Sequence, residues 1–173
     1  EYIYRVQEEA VENYTPTYPN YNTVHNQYVI PTRTIAISKI WSGGPTSDHV
    51  EPALTLWRRF PDDSTAPVAG NEYTLVKTGP SSSSPGNVNT TEYTFTYSGL
   101  ASTDIDGNPL LYGFTEAPVA GYTTTYSNPY NLGGVIYALP GTEQEPSTIT
   151  NSYEIPMTAS LSATKQWVGG PDA

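Results

Sequence analysis

Three polar residues stand where strand alternation demands apolar ones. Lys39 lies in Ile35-Ala-Ile37-Ser-Lys39-Ile-Trp41 and shares a strand face with Ile35, Ile37 and Trp41. Glu116 follows Tyr112 and Phe114 at two-residue spacing, and Asn151 falls between Ile149 and Tyr153. Successive side chains alternate across a strand, so each of the three points into the core if its neighbours do. A lone buried ammonium or carboxylate is costly, and such groups are paired, neutralised or reacted. The pattern leaves two outcomes open. One is a buried Lys–Glu ion pair, with Asn completing the hydrogen bonds. The other is covalent. Burial disfavours the charged form of an ammonium and of a carboxylate alike, so both groups can be neutral at physiological pH. A neutral amine is a nucleophile, and a protonated carboxyl can donate to the Asn carbonyl oxygen and shuttle protons while ammonia leaves. The product is a Lys–Asn isopeptide bond, formed once and without turnover.

The elements that must position these residues read as strands. Runs rich in β-branched and aromatic residues occur at 34–41, 53–60, 72–77, 91–97, 110–116, 122–126, 134–139 and 147–155. Gly-, Pro-, Ser- and Asp-rich clusters separate them at 42–45, 61–63, 79–86, 104–109 and 140–141. About eight short strands with such turns and no amphipathic helical pattern predict an all-β chain, folded as an antiparallel β-sandwich.

The sequence also repeats itself. Asn26-Gln-Tyr28-Val-Ile-Pro31 returns as Asn151-Ser-Tyr153-Glu-Ile-Pro156, and Lys39-Ile-Trp41 with Gly43-Gly-Pro45 returns as Lys165-Gln-Trp167 with Gly169-Gly-Pro171. Tyr4, Glu8 and Tyr14 correspond to Tyr112, Glu116 and Tyr122 at a constant spacing of 108. The later copy therefore carries an insertion, placed at 129–146. Self-similarity of this kind marks a tandem array. Residues 1–31 read as the C-terminal strands of a preceding repeat, 32–156 as one complete repeat, and 157–173 as the first strand of a following one. Glu8 and Asn26 of the first portion and Lys165 of the last are then counterparts of Glu116, Asn151 and Lys39. The partial repeats should be ordered only by pairing with adjacent repeats or with another copy end to end, which would bring Lys165 towards Glu8 and Asn26.

Composition excludes several functions. A net charge of −10 argues against nucleic acid and against anionic membrane surfaces, which need a basic face. No window approaches the roughly 20 apolar residues of a membrane-spanning helix. Cysteine is absent, which removes the commonest extracellular staple. His25 and His49 stand apart without cysteine partners, so neither reads as a metal ligand or general base. Asp104-Ile-Asp106-Gly-Asn108 resembles the start of a calcium loop but lacks the later Glu, and a hairpin turn explains it better. Leu139-Pro-Gly-Thr142 is similar to a sortase recognition motif, yet Glu143 stands where Gly is expected. No metal or cofactor is expected.

Five motifs in order carry a family resemblance. They are Ile37-Ser-Lys39-Ile-Trp41, Glu92-Tyr-Thr-Phe-Thr-Tyr-Ser-Gly-Leu100, Asp106-Gly-Asn-Pro-Leu-Leu-Tyr-Gly-Phe-Thr-Glu116, Val119-Ala-Gly-Tyr122 and Ile149-Thr-Asn151-Ser-Tyr153. Together they resemble the collagen-adhesin B-type (CnaB) repeat domains of Gram-positive surface adhesins and pilins. The resemblance implies a transthyretin-like or inverse Ig-like sandwich, placed outside the cell and anchored to the cell wall through other regions of the protein. It implies that Lys39, Glu116 and Asn151 form an intramolecular cross-link triad, with Glu116 as the catalytic proton shuttle, in a stalk module that is no turnover enzyme. An adhesive module that engages host glycan or matrix protein through loops and exposed aromatics is the alternative.

Overall fold

The computed structural model describes residues 2–84, 86, 88–155, 162–166, 168 and 170. Among these, the alternating β-branched and aromatic runs form twelve strands and no α-helix. The first two, β1 (Tyr14–Asn20) and β2 (Thr23–Tyr28), make a separate antiparallel hairpin. The rest build two five-stranded sheets. One has the order β10 (Pro129–Leu132), β11 (Val135–Ala138), β8 (Leu111–Glu116), β4 (Leu54–Arg59) and β5 (Thr65–Pro67). The other runs β6 (Thr74–Ser83), β7 (Thr90–Ala101), β3 (Thr32–Ser42), β12 (Ser147–Tyr153) and β9 (Tyr122–Tyr126). A single turn of 3₁₀-helix at Thr46–Asp48 follows β3.

The core lies between the two sheets, as two half-apolar faces require. Ile35, Ile37, Phe95, Tyr97 and Ile149 meet Leu56, Tyr112, Phe114 and Ala138 there. Phe114, Ile37 and Ile149 are wholly removed from solvent. The all-β sandwich expected from the pattern is therefore present, with one departure from the antiparallel expectation. The first and last strands of the sandwich, β3 and β12, pair in parallel, with Ile149 opposite Lys39 and Asn151 opposite Trp41. Strands so far apart in sequence return in the same direction through the opposite sheet, which no local turn signal reveals.

Two further departures have local causes. The Ser-rich stretch expected as a turn is largely strand. Ser81, Ser82 and Ser83 continue β6 against Glu92, Thr91 and Thr90 after a register shift at 78–81. On an exposed edge the backbone ladder alone holds the strand, so side-chain pattern says little. The stretch at 129–146 contributes the β10–β11 hairpin, with Leu132 opposite Val135. Its two-residue loop, Gly133-Gly134, has positive φ at both positions (60° and 86°), as the primed hairpin turns need.

The remainder of that stretch closes the edge of β3 ahead of β12. Ala36 and Gly141 exchange backbone hydrogen bonds of 3.1 and 2.9 Å. A Cβ on Gly141 would collide with the backbone of Glu145, Pro146 and Ser147. Leu139-Pro-Gly-Thr142 is thus part of the sheet edge. Gly141→Ala should cost about 1–3 kcal/mol through forced backbone shifts. The measurements are a lowered urea midpoint and lost amide protection at Ala36 and Gly141; an unchanged midpoint would refute the packing argument.

Candidate functional site

Lys39 sits in the middle of β3 with its side chain entirely buried, among Ile35, Ile37 and Trp41 as the alternation requires. Its Nζ donates to Glu116 Oε2 at 2.8 Å, and the Glu116 side chain is only 5% exposed. Glu116 closes β8 in the opposite sheet, opposite Leu54 of β4, so the pair crosses the sandwich interior. The ammonium also lies 4.7 Å from the centre of the Trp41 ring. Burial pushes the Lys39 amine below its ordinary range, and the hydrogen bond and charge of Glu116 oppose that push only in part. Tyr126, in β9, is raised first by burial and then by the Glu116 charge.

Asn151 is the third buried polar group, with no exposure. The parallel register sets Asn151 beside Trp41 and therefore diagonal to Lys39 on one face. Its Oδ1 accepts from Thr124 Oγ1 at 2.7 Å, across the β9–β12 ladder where Thr124 stands directly opposite. Its Nδ2 is buried and has no hydrogen-bond partner. A buried orphan donor costs about 1–3 kcal/mol. A chemistry that expels this nitrogen would remove the penalty.

The wall behind the site is fixed by His49. Its ring stacks on Trp41 at 5.8 Å and 12°, with Nδ1 2.8 Å from Thr91 Oγ1 and Nε2 2.8 Å from Gly43 O. Trp41 Nε1 donates to Val50 O at 3.0 Å. Both ring nitrogens of His49 are occupied in holding this wall. Elsewhere, Asp104 Oδ1 accepts the backbone N–H groups of Asp106 and Asn108 at 2.9 and 2.8 Å. That carboxylate is engaged in its own turn, as the hairpin reading expected.

The structure thus brings Lys39 and Glu116 into contact and sets Asn151 on the same inner face. It also brings together Glu8 and Asn26: Asn26 Nδ2 donates to Glu8 Oε1 at 3.0 Å. The β1–β2 ladder copies that of β9–β12. Tyr14 faces Tyr28 and Pro16 faces Asn26, as Tyr122 faces Tyr153 and Thr124 faces Asn151. Both Tyr pairs have ring centres 5.3 Å apart. Lys165 is solvent-exposed in 162–166, outside any strand. Residues 156–161 and Trp167, part of the expected following strand, lie outside the described residues. Thr124 was not singled out from sequence. It gains meaning only from the β9–β12 register, and Pro16 at the matching position of the earlier copy hides it.

A second feature lies on the outward face of the β8 sheet, where a solvated face is normally polar. Trp57, Leu111, Tyr130, Leu132 and Tyr137 line an apolar cleft of about 120 Å³ there. Its floor is Gly113, where a Cβ would come within 3.0 Å of the Tyr137 side chain. Trp57 meets Tyr137 edge-on at 6.2 Å and donates to Thr115 Oγ1 at 2.9 Å, while Arg59 covers the Tyr130 ring at 5.0 Å.

A family model matches most of the sandwich. The family described as Cna protein B-type domain matches residues 35–136, a span that includes Lys39 and Glu116 and ends before Asn151. Among solved structures, the chain is similar to a single B repeat unit (B1) of the collagen binding surface protein (Cna) of Staphylococcus aureus. The two are 21% identical, with a TM-score of 0.33, over 84% of this chain and 63% of that one. The chain therefore spans less than two thirds of that structure. No curated protein matches it. Domains of this type occur in bacterial surface proteins and are generally not enzymes. The match takes in both sheets of the sandwich and more than half of the chain, and this protein belongs to the Cna protein B-type domain family.

Proposed function

We propose that residues 32–156 are a load-bearing repeat of a bacterial surface adhesin or pilus stalk, hardened by an autocatalytic isopeptide bond between Lys39 and Asn151. The observation that carries this reading is the buried amide nitrogen of Asn151 without a partner, beside a buried Lys39–Glu116 pair at 2.8 Å. The 2.8 Å contact is a ready path for a proton from Nζ to the carboxylate, and burial pushes the Lys39 amine below its ordinary range. Neutral Nζ then attacks Asn151 Cγ. The Nζ–Cγ bond forms, the Cγ–Nδ2 bond breaks, and Glu116 relays the proton that lets the nitrogen leave as ammonia. Fixed neighbours in a rigid sandwich supply the high effective concentration that such an amide exchange needs. No cofactor and no oxidant enters.

The bond would join the first strand of the sandwich to the last. Tension applied at the two ends of the repeat then crosses from β3 to β12 through one covalent link, and the chain between them is shielded. Residues 1–31 and 157–173 belong, on this reading, to neighbouring repeats in a stalk displayed outside the cell and anchored by other regions. The apolar cleft on the β8 sheet favours a second reading, in which the module also engages a ligand. With few polar groups in its lining, the cleft suits an apolar side chain of a matrix protein better than a sugar.

Intact mass checks the bond directly. The wild-type chain should weigh one ammonia less than its sequence, and Lys39→Ala and Glu116→Ala should both keep the full mass. An unmodified wild type would refute the reading. The bond also constrains the unfolded chain, because the two residues are 112 positions apart. In the chain-entropy model that is worth about 4–5 kcal/mol. Wild type should therefore melt well above Glu116→Ala, with or without reductant, and equal melting points would exclude a mechanical role.

The unreacted site should also respond to pH. Burial lowers the Lys39 amine, so over the alkaline range the unfolded chain holds a proton that the folded one has released. Stability then rises with pH, by at most about 1.4 kcal/mol per pH unit. From pH ~7 to ~10, the urea midpoint of Glu116→Ala should rise relative to Glu116→Ala/Lys39→Met, which keeps the same tyrosines. Parallel profiles for the two variants would show that burial does not lower the Lys39 amine.

A further inference from the structure

If Lys39 attacks Asn151 Cγ, negative charge gathers on Asn151 Oδ1, and a donor already touches that atom. Thr124 Oγ1 lies 2.7 Å from Oδ1. That is the commonest O–H···O length, whereas N–H···O bonds cluster at about 2.9–3.0 Å. Thr124 stands directly opposite Asn151 in the β9–β12 ladder, so the strand register itself sets the contact. Its β-branch restricts χ1, which fixes the hydroxyl further.

Alternation alone offers Glu116 as the donor to this oxygen. In the structure Lys39 Nζ engages Glu116 Oε2 at 2.8 Å, and Oδ1 goes to Thr124. The amide is planar, so holding Oδ1 against β9 turns Nδ2 away from that strand. The other neighbour of β12 is β3, the strand that carries Lys39. The oxygen that must take up charge therefore has a donor, and the nitrogen that must leave has no hydrogen-bond partner to hold it.

We infer that Thr124 is a catalytic residue of the cross-linking, its hydroxyl holding Asn151 Oδ1 while that oxygen carries the charge of the tetrahedral intermediate. This role rests on the cross-linking reading above and divides its chemistry between two residues. Nζ adds to Cγ, and the carbonyl π pair moves onto Oδ1, where the Thr124 O–H stabilises it. The carbonyl then re-forms, the Cγ–Nδ2 bond breaks, and ammonia leaves with the proton that Glu116 relays from Nζ. Thr124 keeps its own proton from start to finish. A donor fixed in place before charge develops needs no reorganisation, and it acts most strongly where water is excluded. Lys39 and Asn151 both lie wholly out of solvent.

The test follows ammonia loss by intact mass during timed cell-free synthesis of the full chain, with Thr124→Val and Thr124→Ser beside wild type. Mildly acidic buffer keeps the amine protonated longer, which makes the chemistry slower than folding. Thr124→Val keeps the β-branched shape without the hydroxyl. It should lose ammonia about 10²–10³-fold more slowly, the usual effect of removing one oxyanion donor. Thr124→Ser, which restores the hydroxyl, should react at close to the wild-type rate. Thr124 does not titrate, so the pH profile of the slowed Thr124→Val reaction should keep its wild-type form, whereas a loosened core would move it by rehydrating Lys39. Equal rates in wild type and Thr124→Val would overturn the role and leave the cross-link standing. So would a Thr124→Ser chain as slow as Thr124→Val, a displaced pH profile, or a collapsed amide spectrum of Thr124→Val, each of which assigns the effect to packing. A wild-type chain that loses no ammonia would overturn the cross-linking reading itself, and this role with it.

Discussion

A lysine ammonium and a glutamate carboxylate 2.8 Å apart, both almost wholly out of water, impose a severe constraint on the sandwich around them. Desolvating the two charges costs several kcal/mol each, and their attraction offsets that cost only while the geometry holds. Lys39 belongs to one sheet and Glu116 to the other, so a slip in either sheet would leave an unpaired buried charge. The pair is therefore a registration device as well as a contact. Everything near it serves to hold it still: the parallel seat of β3 against β12, the Trp41 ring beside the ammonium, and His49 stacked behind that ring. A buried ion pair alone is weak evidence for stability, since apolar residues of the same size often do as well. The neighbouring amide of Asn151, whose buried Nδ2 has no hydrogen-bond partner, adds a further cost.

The sequence made the site legible because alternation is strict where both neighbours are apolar. Lys39, Glu116 and Asn151 each interrupt such a run, and each lies on an inner face. Most strands were legible for the same reason. What could not be read were features set by pairing rather than by pattern. The parallel β3–β12 ladder joins segments more than a hundred residues apart. β6 extends through serines because an edge ladder tolerates any side chain, and β5 is only three residues long. Thr124 acquires its role solely from standing opposite Asn151, a register that no one-dimensional signal encodes.

Repetition within the chain provides an internal control on burial. The β1–β2 and β9–β12 strand pairs share register and the spacing of their Tyr rings. They differ in what covers them. Within the sandwich Lys39, Glu116 and Asn151 are dry, whereas Asn26 on the β1–β2 hairpin stands exposed. The same residue types in the same local frame thus have different reactivity prospects, because desolvation comes from tertiary burial and not from the motif. Spacing identifies the residues; the opposing sheet makes them chemically unusual.

The lack of cysteine fits this division of labour. A disulfide could tie β3 to β12, but it would open under reducing conditions and would need an oxidant to form. The amide proposed between Lys39 and Asn151 would need only the folded interior that brings them together, and the desolvation that would activate the lysine would also shield the product from water. Folding would then precede bond formation. A chain that had not yet assembled its two sheets would lack the buried environment, and the lysine would remain charged and inert. If the chain is the tandem array proposed above, this ordering would matter, since each repeat would contain the same residue types and burial by the correct partner strand would distinguish right pairs from wrong ones.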